Sequence, residues 1–351
     1  MTGQILIYGA NGYTGRITAR LAKGAGYKPI LAGRNAAMVK AIADAHSMEW
    51  RHFDLTDPDL IDSNLRDVDI VLHMAGPFSA TMPPMIAACL RTRTHYIDIT
   101  GEIDVIEALS SQFAEASVAG IMILPGAGFD VVPSDCLLAH LKRRLPSARS
   151  LTLALDGLSK PSRGTAKTAV EALGLGTRVR RDTRIITLDT VPRRDFDFGD
   201  GESVDCMGVS WGDVSSAYHS TAVPDIQVFF SVNPMMERAA RLGPIAKWMA
   251  RRPLVQRYLK GQVDKQIEGP TKEERAEGQV RLLGIAEDGE GKRVVSRLTT
   301  PEAYTLTARV ALDIAVRVAG MEGLTGFYTP TRLLGPDYIL EFDGVERVDL
   351  V

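Results

Sequence analysis

The stretch Gln4-Ile5-Leu6-Ile7-Tyr8-Gly9-Ala10-Asn11-Gly12-Tyr13-Thr14-Gly15-Arg16 decides how the rest of the chain is read. Gln4 to Tyr8 is a short, mostly apolar run with strand character. Arg16 to Lys23 has helical spacing, with Ile17, Leu21 and Ala22 on one side. A strand, a glycine turn and a helix in that order form the first half of a dinucleotide site. Gly9 permits a sharp turn, Gly12 lets the backbone approach a pyrophosphate, and Gly15 allows close helix packing. The N–H groups and positive dipole end of the helix then face the phosphates. Gly9, Asn11, Gly12, Tyr13, Thr14 and Gly15 are therefore the expected phosphate cradle. The spacing is G-x-x-G-x-x-G, which departs from the usual G-x-G-x-x-G, and a plain strand–helix turn is the alternative.

Outward from this stretch, Lys28 to Ala32 reads as a second strand running into Gly33-Arg34-Asn35. Enzymes that take NAD place Asp or Glu here to hold the ribose 2′-hydroxyl. Arg34 stands there instead, and a guanidinium grips a 2′-phosphate that a carboxylate would repel. The residues thus favour NADP(H), against the alternative of a solvated arginine at a strand end.

Strand and helix patterns continue to alternate through the first 148 residues. Helices are expected over 35–46, 58–65, 82–90 and 105–119, and strands over 49–53, 69–74, 95–99 and 121–124. Such alternation predicts an α/β, Rossmann-type doubly wound parallel sheet with helices on both faces. Ligands of these sheets sit beyond the carboxyl ends of the strands. The loops at 9–15, 33–35, 54–57, 75–79, 98–102 and 125–130 are accordingly expected to line one crevice.

After Arg149 the rhythm changes. Strands at 150–155, 184–189 and 225–232, and a hairpin joining 279–286 to 292–298, predict a second α+β domain with a mixed or antiparallel sheet, spanning 149–300. The acidic stretch from Asp195 to Asp205 reads as a solvated loop. Pro301 is expected to open a helix to Val318, and 301–351 to return onto the first domain, with a last strand at 338–342. From Met235 to Lys260, Arg238, Arg241, Lys247, Arg251, Arg252, Arg257 and Lys260 stand against one acid, Glu237. Met236, Leu242, Ile245, Trp248, Met249, Leu254, Val255, Tyr258 and Leu259 are interleaved with them. The stretch reads either as a surface that touches lipid or a greasy substrate, or as amphipathic helix packed on its own domain. Pro244 and Pro253 break it into pieces.

Bulk properties exclude several classes. At 351 residues, 45% hydrophobic, with a formal charge of −2, the chain suits a soluble protein with a sizeable core and no nucleic-acid partner. No apolar run approaches the ~20 residues a spanning helix needs. The amino-terminal residues lack the pattern of a secretory signal. Cys89, Cys136 and Cys206 are odd in number and far apart, as in a reduced, cytoplasmic protein, and no clustered Cys/His pattern suggests a metal.

Several stretches together resemble the saccharopine dehydrogenase-like oxidoreductases. They are Gly9 to Arg16 with Gly33-Arg34, the Ala75-Gly76-Pro77-Phe78 loop, and His95-Tyr96-Ile97-Asp98-Ile99-Thr100-Gly101-Glu102. Gly126-Ala127-Gly128-Phe129-Asp130-Val131-Val132-Pro133-Ser134-Asp135 and Tyr304…Gly326-Phe327-Tyr328-Thr329-Pro330 complete the set. The resemblance implies a Rossmann NADP domain, an inserted α+β domain and an oxidoreductase activity. It looks nearest the branch of trans-acting enoyl reductases, whose substrates are apolar or carrier-bound, and a homodimer is a further expectation.

In hydride transfer the cofactor carries the difficult step, and the protein supplies orientation and a proton. Ala75, Gly76, Pro77 and Phe78 follow the fourth strand, where a ribose and nicotinamide are expected. Asp54 follows the third, within reach of an adenine amine or simply starting a turn. Asp98, Glu102, Asp130 and Tyr218 are the candidate proton donors, because a carboxyl in an apolar cleft has a raised pKa. His73, on a strand, reads as a core histidine. No tyrosine has a lysine four residues later, which excludes the acid–base pair of short-chain dehydrogenases. Three functions fit: an NADPH-dependent reductase of a C=C, C=N or C=O bond, an NADP-binding sensor without turnover, or a membrane-surface protein with a vestigial fold.

Overall fold

The structure, a computed structural model, describes residues 3–241 and 243–351. Leu242 of the basic stretch lies outside the described residues. The chain forms two compact units, Met1–Val132 with Tyr304–Leu333, and Pro133–Ala303 with Leu334–Val351.

The first unit begins β1 (Ile5–Tyr8), α1 (Tyr13–Gly24), β2 (Ile30–Gly33), α2 (Ala36–His46), β3 (Trp50–His52) and α3 (Pro58–Leu65). It continues β4 (Ile70–His73), α4 (Phe78–Thr92), β5 (His95–Asp98), α5 (Ile103–Ser111), α6 (Phe113–Ala119) and β6 (Met122–Leu124). The second unit holds α7 (Val132–Arg144), β7 (Ser150–Asp156), α8 (Arg163–Ala172), β8 (Thr177–Arg181), β9 (Arg184–Leu188), β10 (Arg193–Asp197), β11 (Ser203–Val209), α9 (Asp213–Thr221) and β12 (Asp225–Ser231). Then come α10 (Pro234–Ala240), α11 (Pro244–Ala250), α12 (Pro253–Gln266), α13 (Lys272–Glu277), β13 (Gln279–Glu287) and β14 (Arg293–Pro301). The chain closes with α14 (Ala303–Val318), β15 (Gly326–Phe327), α15 (Pro330–Leu334), a 3₁₀ turn at Tyr338–Glu341, and β16 (Glu346–Asp349).

The first sheet is parallel, in the order β15-β6-β5-β4-β1-β2-β3. β1, β2 and β4 are buried along their whole length, as strands covered on both faces must be, so they read as unbroken apolar runs. Leu6, Ile30, Val71, Tyr96 and Ile123 from five neighbouring strands share one core. The crossover at β1, where neighbours lie on either side in opposite chain order, is where such sheets open a crevice.

The second unit carries a mixed nine-stranded sheet, antiparallel except where β12 runs parallel to β7. The expected β13–β14 hairpin is present, its register centred on Leu283↔Arg297. The 195–205 stretch departs from expectation. It is not a loop but the β10–β11 hairpin: Asp195, Asp197 and Asp205 lie on its strands and Asp200 and Glu202 in its turn, with Phe196↔Val204 in register. Asp197 Oδ1 accepts from the N–H groups of Gly199, Asp200 and Gly201, while Phe196 and Phe198 are buried. Two aromatics at alternate positions outweigh the polar residues around them.

Pro301 ends β14 and does not open the helix, which starts at Ala303. Tyr338–Glu341 is a 3₁₀ turn, and the last strand is β16, paired to β14. The units also divide elsewhere than at 148/149 and 300/301. α7 packs Leu137 and Leu141 against Gly284 of β13, and 334–351 joins the second sheet. Among the described residues no helix is long and apolar enough to cross a membrane.

Candidate functional site: a nucleotide cradle and a strand-end acid

The glycines of the first turn are under different demands. Gly9 has φ +90°, and a Cβ there would lie 2.9 Å from Ala75. A Cβ on Gly15 would fall 2.4 Å from the Gly9 carbonyl oxygen, so the helix packs on the turn itself. At Gly12 an added Cβ would meet a single protein atom within 4 Å, the Gly9 oxygen at 3.1 Å. That is a tight approach to a backbone oxygen, so the turn itself favours glycine here, and the missing side chain also leaves the backbone open to a ligand. No side chain caps the start of α1 and its first turn contains no acid. The positive end of the helix is thus left for an anion. Asn11 Oδ1 would lie 2.9 Å from a Cβ on Gly33, which couples the cradle to the end of β2. These residues fit a dinucleotide diphosphate.

Arg34 is exposed at the end of β2, its carbonyl within 3.1 Å of His52 Nε2. Asn35 takes over the capping, accepting from the Met38 N–H at 3.1 Å, so the Arg34 side chain is not used to start α2. Asp54 is exposed and Oδ1 accepts from the Thr56 N–H at 2.9 Å, the turn-starting alternative noted for it. Its carboxyl is held below the usual range by that turn and, to a lesser degree, by the charge of Arg34.

From the cradle a continuous rim of contacts runs across the strand ends. Gly9 abuts Ala75; the N–H groups of Phe78 and Ser79 donate to the two carboxylate oxygens of Glu102 at 2.8 and 2.9 Å; Gly101 abuts Asp130. The loops after β1, β4, β5 and β6 are thereby joined. Phe78 points its ring into the core, edge-on to His73 at 5.4 Å, which leaves the Gly76-Pro77 backbone to form the surface. Glu102 explains why α4 begins at Phe78, earlier than the expected Met82: its charge occupies the helix's amino end. His73 is fully buried, and burial pushes it down to about 3, a neutral core histidine.

The candidate acids have different surroundings. Asp98 is fully buried, with Oδ1 accepting from the N–H groups of Thr100 (2.9 Å) and Gly126 (3.0 Å) and Oδ2 from the Tyr96 hydroxyl (2.8 Å). Burial pushes it up to about 6 against the pull of these donors. Asp130 is half-buried beside Gly101, and among the described residues nothing donates to its carboxyl. Burial first, and then the charge of Glu102, push it up to about 7. A carboxyl that is half protonated near neutral pH and not tied down is suited to give a proton.

Asp98, Glu102 and Asp130 are brought together; Tyr218 belongs to the other unit, on α9, with the Arg180 guanidinium 4.2 Å over its ring. Two contributors come from α14: Tyr304, noted only as part of a motif, and Thr307, which the sequence reading missed. Tyr304 meets Tyr13 edge-on at 4.9 Å, and Thr307 Oγ1 accepts from the Phe129 N–H at 3.0 Å. The two stand three residues apart near the start of α14, one turn of helix, and nothing local in the sequence marks Thr307 as a partner of Phe129. Cys136 is buried and its thiol is pushed up by burial, which makes it a poor nucleophile.

Residues 5–124 match the family described as the saccharopine dehydrogenase NADP binding domain. The match covers about a third of the chain, all of it in the first unit. That family's description names NADP, in keeping with Arg34 in place of an acid at the end of β2. A protein named trans-acting enoyl reductase from Mycobacterium leprae is 32% identical over 154 residues, which is 42% of this chain and 37% of that one. Its namesake from Mycobacterium ulcerans is 28% identical over 149 residues, 40% of this chain and 36% of that one. The chain thus matches well under half the length of these relatives. Apo saccharopine dehydrogenase (L-Glu forming) from Saccharomyces cerevisiae superposes with a TM-score of 0.65 at 12% identity, covering 99% of this chain and 100% of that one. This shared architecture includes the α/β sheet and the second mixed-sheet domain.

Proposed function

We propose that the chain is an NADP(H)-dependent oxidoreductase that reduces a C=C, C=N or C=O bond of an apolar or carrier-bound substrate, in the manner of an enoyl reductase. The observation that carries this reading is Asp130: an acid with no hydrogen-bond donor among the described residues, raised to about 7, on the rim that begins at the phosphate cradle. Bound NADPH supplies the hydride. The α1 amino end and Asn11 would hold its diphosphate, Arg34 would read the 2′-phosphate, and the Ala75-Gly76-Pro77 backbone would support the rest of the cofactor. Asp130 delivers a proton to the atom that the hydride leaves electron-rich, becomes a carboxylate, and takes a proton back from water. Glu102 positions the 75–79 loop and keeps the Asp130 proton in place at neutral pH, while Asp98 braces β5 against the loop after β6. Tyr218 takes no step in this scheme.

The names of the mycobacterial relatives favour an unsaturated acyl chain on a carrier. A cytoplasmic location and a homodimer belong to the same proposal, and the buried free thiols of Cys89, Cys136 and Cys206 suit a reducing compartment. Incubation with NADPH and a panel of enones, unsaturated acyl thioesters, imines and ketones, followed at the nicotinamide absorbance, tests it. Oxidation of NADPH by one of these classes is expected. Tight NADP binding with no oxidation across the panel would establish the sensor instead.

A further inference from the structure

The basic stretch of the second unit is not explained by nucleotide chemistry. α10, α11 and α12 are short, and Pro244 and Pro253 stand at the first positions of the latter two. α12 has an inner face, on which Val255 and Leu259 are half-buried and Val263 is buried, and it packs on α8. Gln256 Nε2 donates to the carbonyls of Val170 (2.9 Å) and Ala250 (2.7 Å), and Lys260 pairs with Glu171. An amphipathic helix settled on its own domain would turn polar residues outward. α12 turns out Leu254 and Tyr258 instead, and α11 turns out Ile245, Trp248 and Met249, all of them between 47% and 75% exposed. Cations stand among them: Arg251, Arg252 and Arg257 are exposed, and the Arg252 guanidinium sits 3.8 Å over the Trp248 ring. The acid of the stretch, Glu237, is taken up by Arg193 and Arg241.

We propose that this face docks on an anionic lipid bilayer. Exposed Trp, Tyr, Leu and Ile on short helices, bordered by arginines, are the composition that lies in a membrane interface: the aromatic and aliphatic groups enter the acyl boundary and the guanidiniums meet lipid phosphates. Apposing a second copy would set the same cations against one another, with one acid per copy to offset them, so charge disfavours self-association through this face.

Co-sedimentation with vesicles tests the proposal. The full chain should bind vesicles of phosphatidylcholine with phosphatidylglycerol, should bind pure phosphatidylcholine far less, and should be released by high salt, with a blue shift of tryptophan emission on binding. Arg251→Glu/Arg252→Glu/Arg257→Glu should weaken binding on the order of 100-fold. Trp248→Ser/Tyr258→Ser should abolish the emission shift. Both variants should keep NADPH affinity, which shows that they fold. Absence of binding to anionic vesicles, equal binding to neutral ones, or unchanged binding by the variants would overturn the proposal. So would self-association, or capture of an acidic protein, that the same variants abolish while vesicles are ignored. None of these outcomes bears on turnover, so the reductase reading stands or falls separately.

Discussion

Two strand ends of one sheet, the end of β5 at Asp98 and the loop after β6 at Asp130, carry the same side chain to different effect. Burial lifts both carboxyls, to about 6 and about 7. Asp98 is held by two backbone N–H groups and a phenol, so its charge is a brace. Asp130 rests on Gly101 with no donor to it among the described residues and with Glu102 nearby. A raised pKa alone does not distinguish a catalytic acid from a structural one; the inventory of donors does.

The sharpest way to break this comparison is to remove each acid. Asp130→Asn should lower kcat with NADPH on the order of 1000-fold and leave NADPH affinity unchanged, as read by steady-state kinetics and fluorescence titration. Asp98→Ala should do the reverse. Stranding two buried N–H groups and a hydroxyl should cost about 3 kcal/mol of stability in denaturant unfolding. A variant that folds should keep most of its turnover. Away from the pair, Arg34→Asp should weaken NADPH binding by roughly 100-fold and change NADH little; equal losses would show that Arg34 does not read the phosphate. The smallest effect is expected at Glu102→Gln. Glu102 raises the Asp130 pKa, so removing its charge lowers that pKa. The acid form of Asp130 is then lost at lower pH, and the decline of kcat/KM with rising pH should move down by less than about one pH unit.

What was legible in the sequence followed from short-range geometry. Glycines at 9, 12 and 15 between an apolar run and a helical pattern leave few alternatives to a strand–turn–helix, and Arg34 stands two residues after a strand. The strand ends were legible too, because alternation implies a parallel sheet. Less legible were features set by long-range partners. That Glu102 caps α4 across 24 residues of chain, or that Thr307 anchors Phe129 across 178, leaves no local pattern. The 195–205 hairpin was obscured by its acids, which occupy the turn and the edge while Phe196 and Phe198 carry the burial. Phe78 follows the fourth strand with the other residues of its loop, yet its ring lies in the core.

Selective labelling of aspartate carboxyl carbons and an NMR titration addresses the account without a known substrate. One aspartate should titrate near pH 7 and disappear in Asp130→Asn, with Asp98 about one pH unit below it. If Asp130 titrates with the ordinary surface carboxylates near pH 4, or the pH 7 signal survives the substitution, Asp130 is not the proton donor described here.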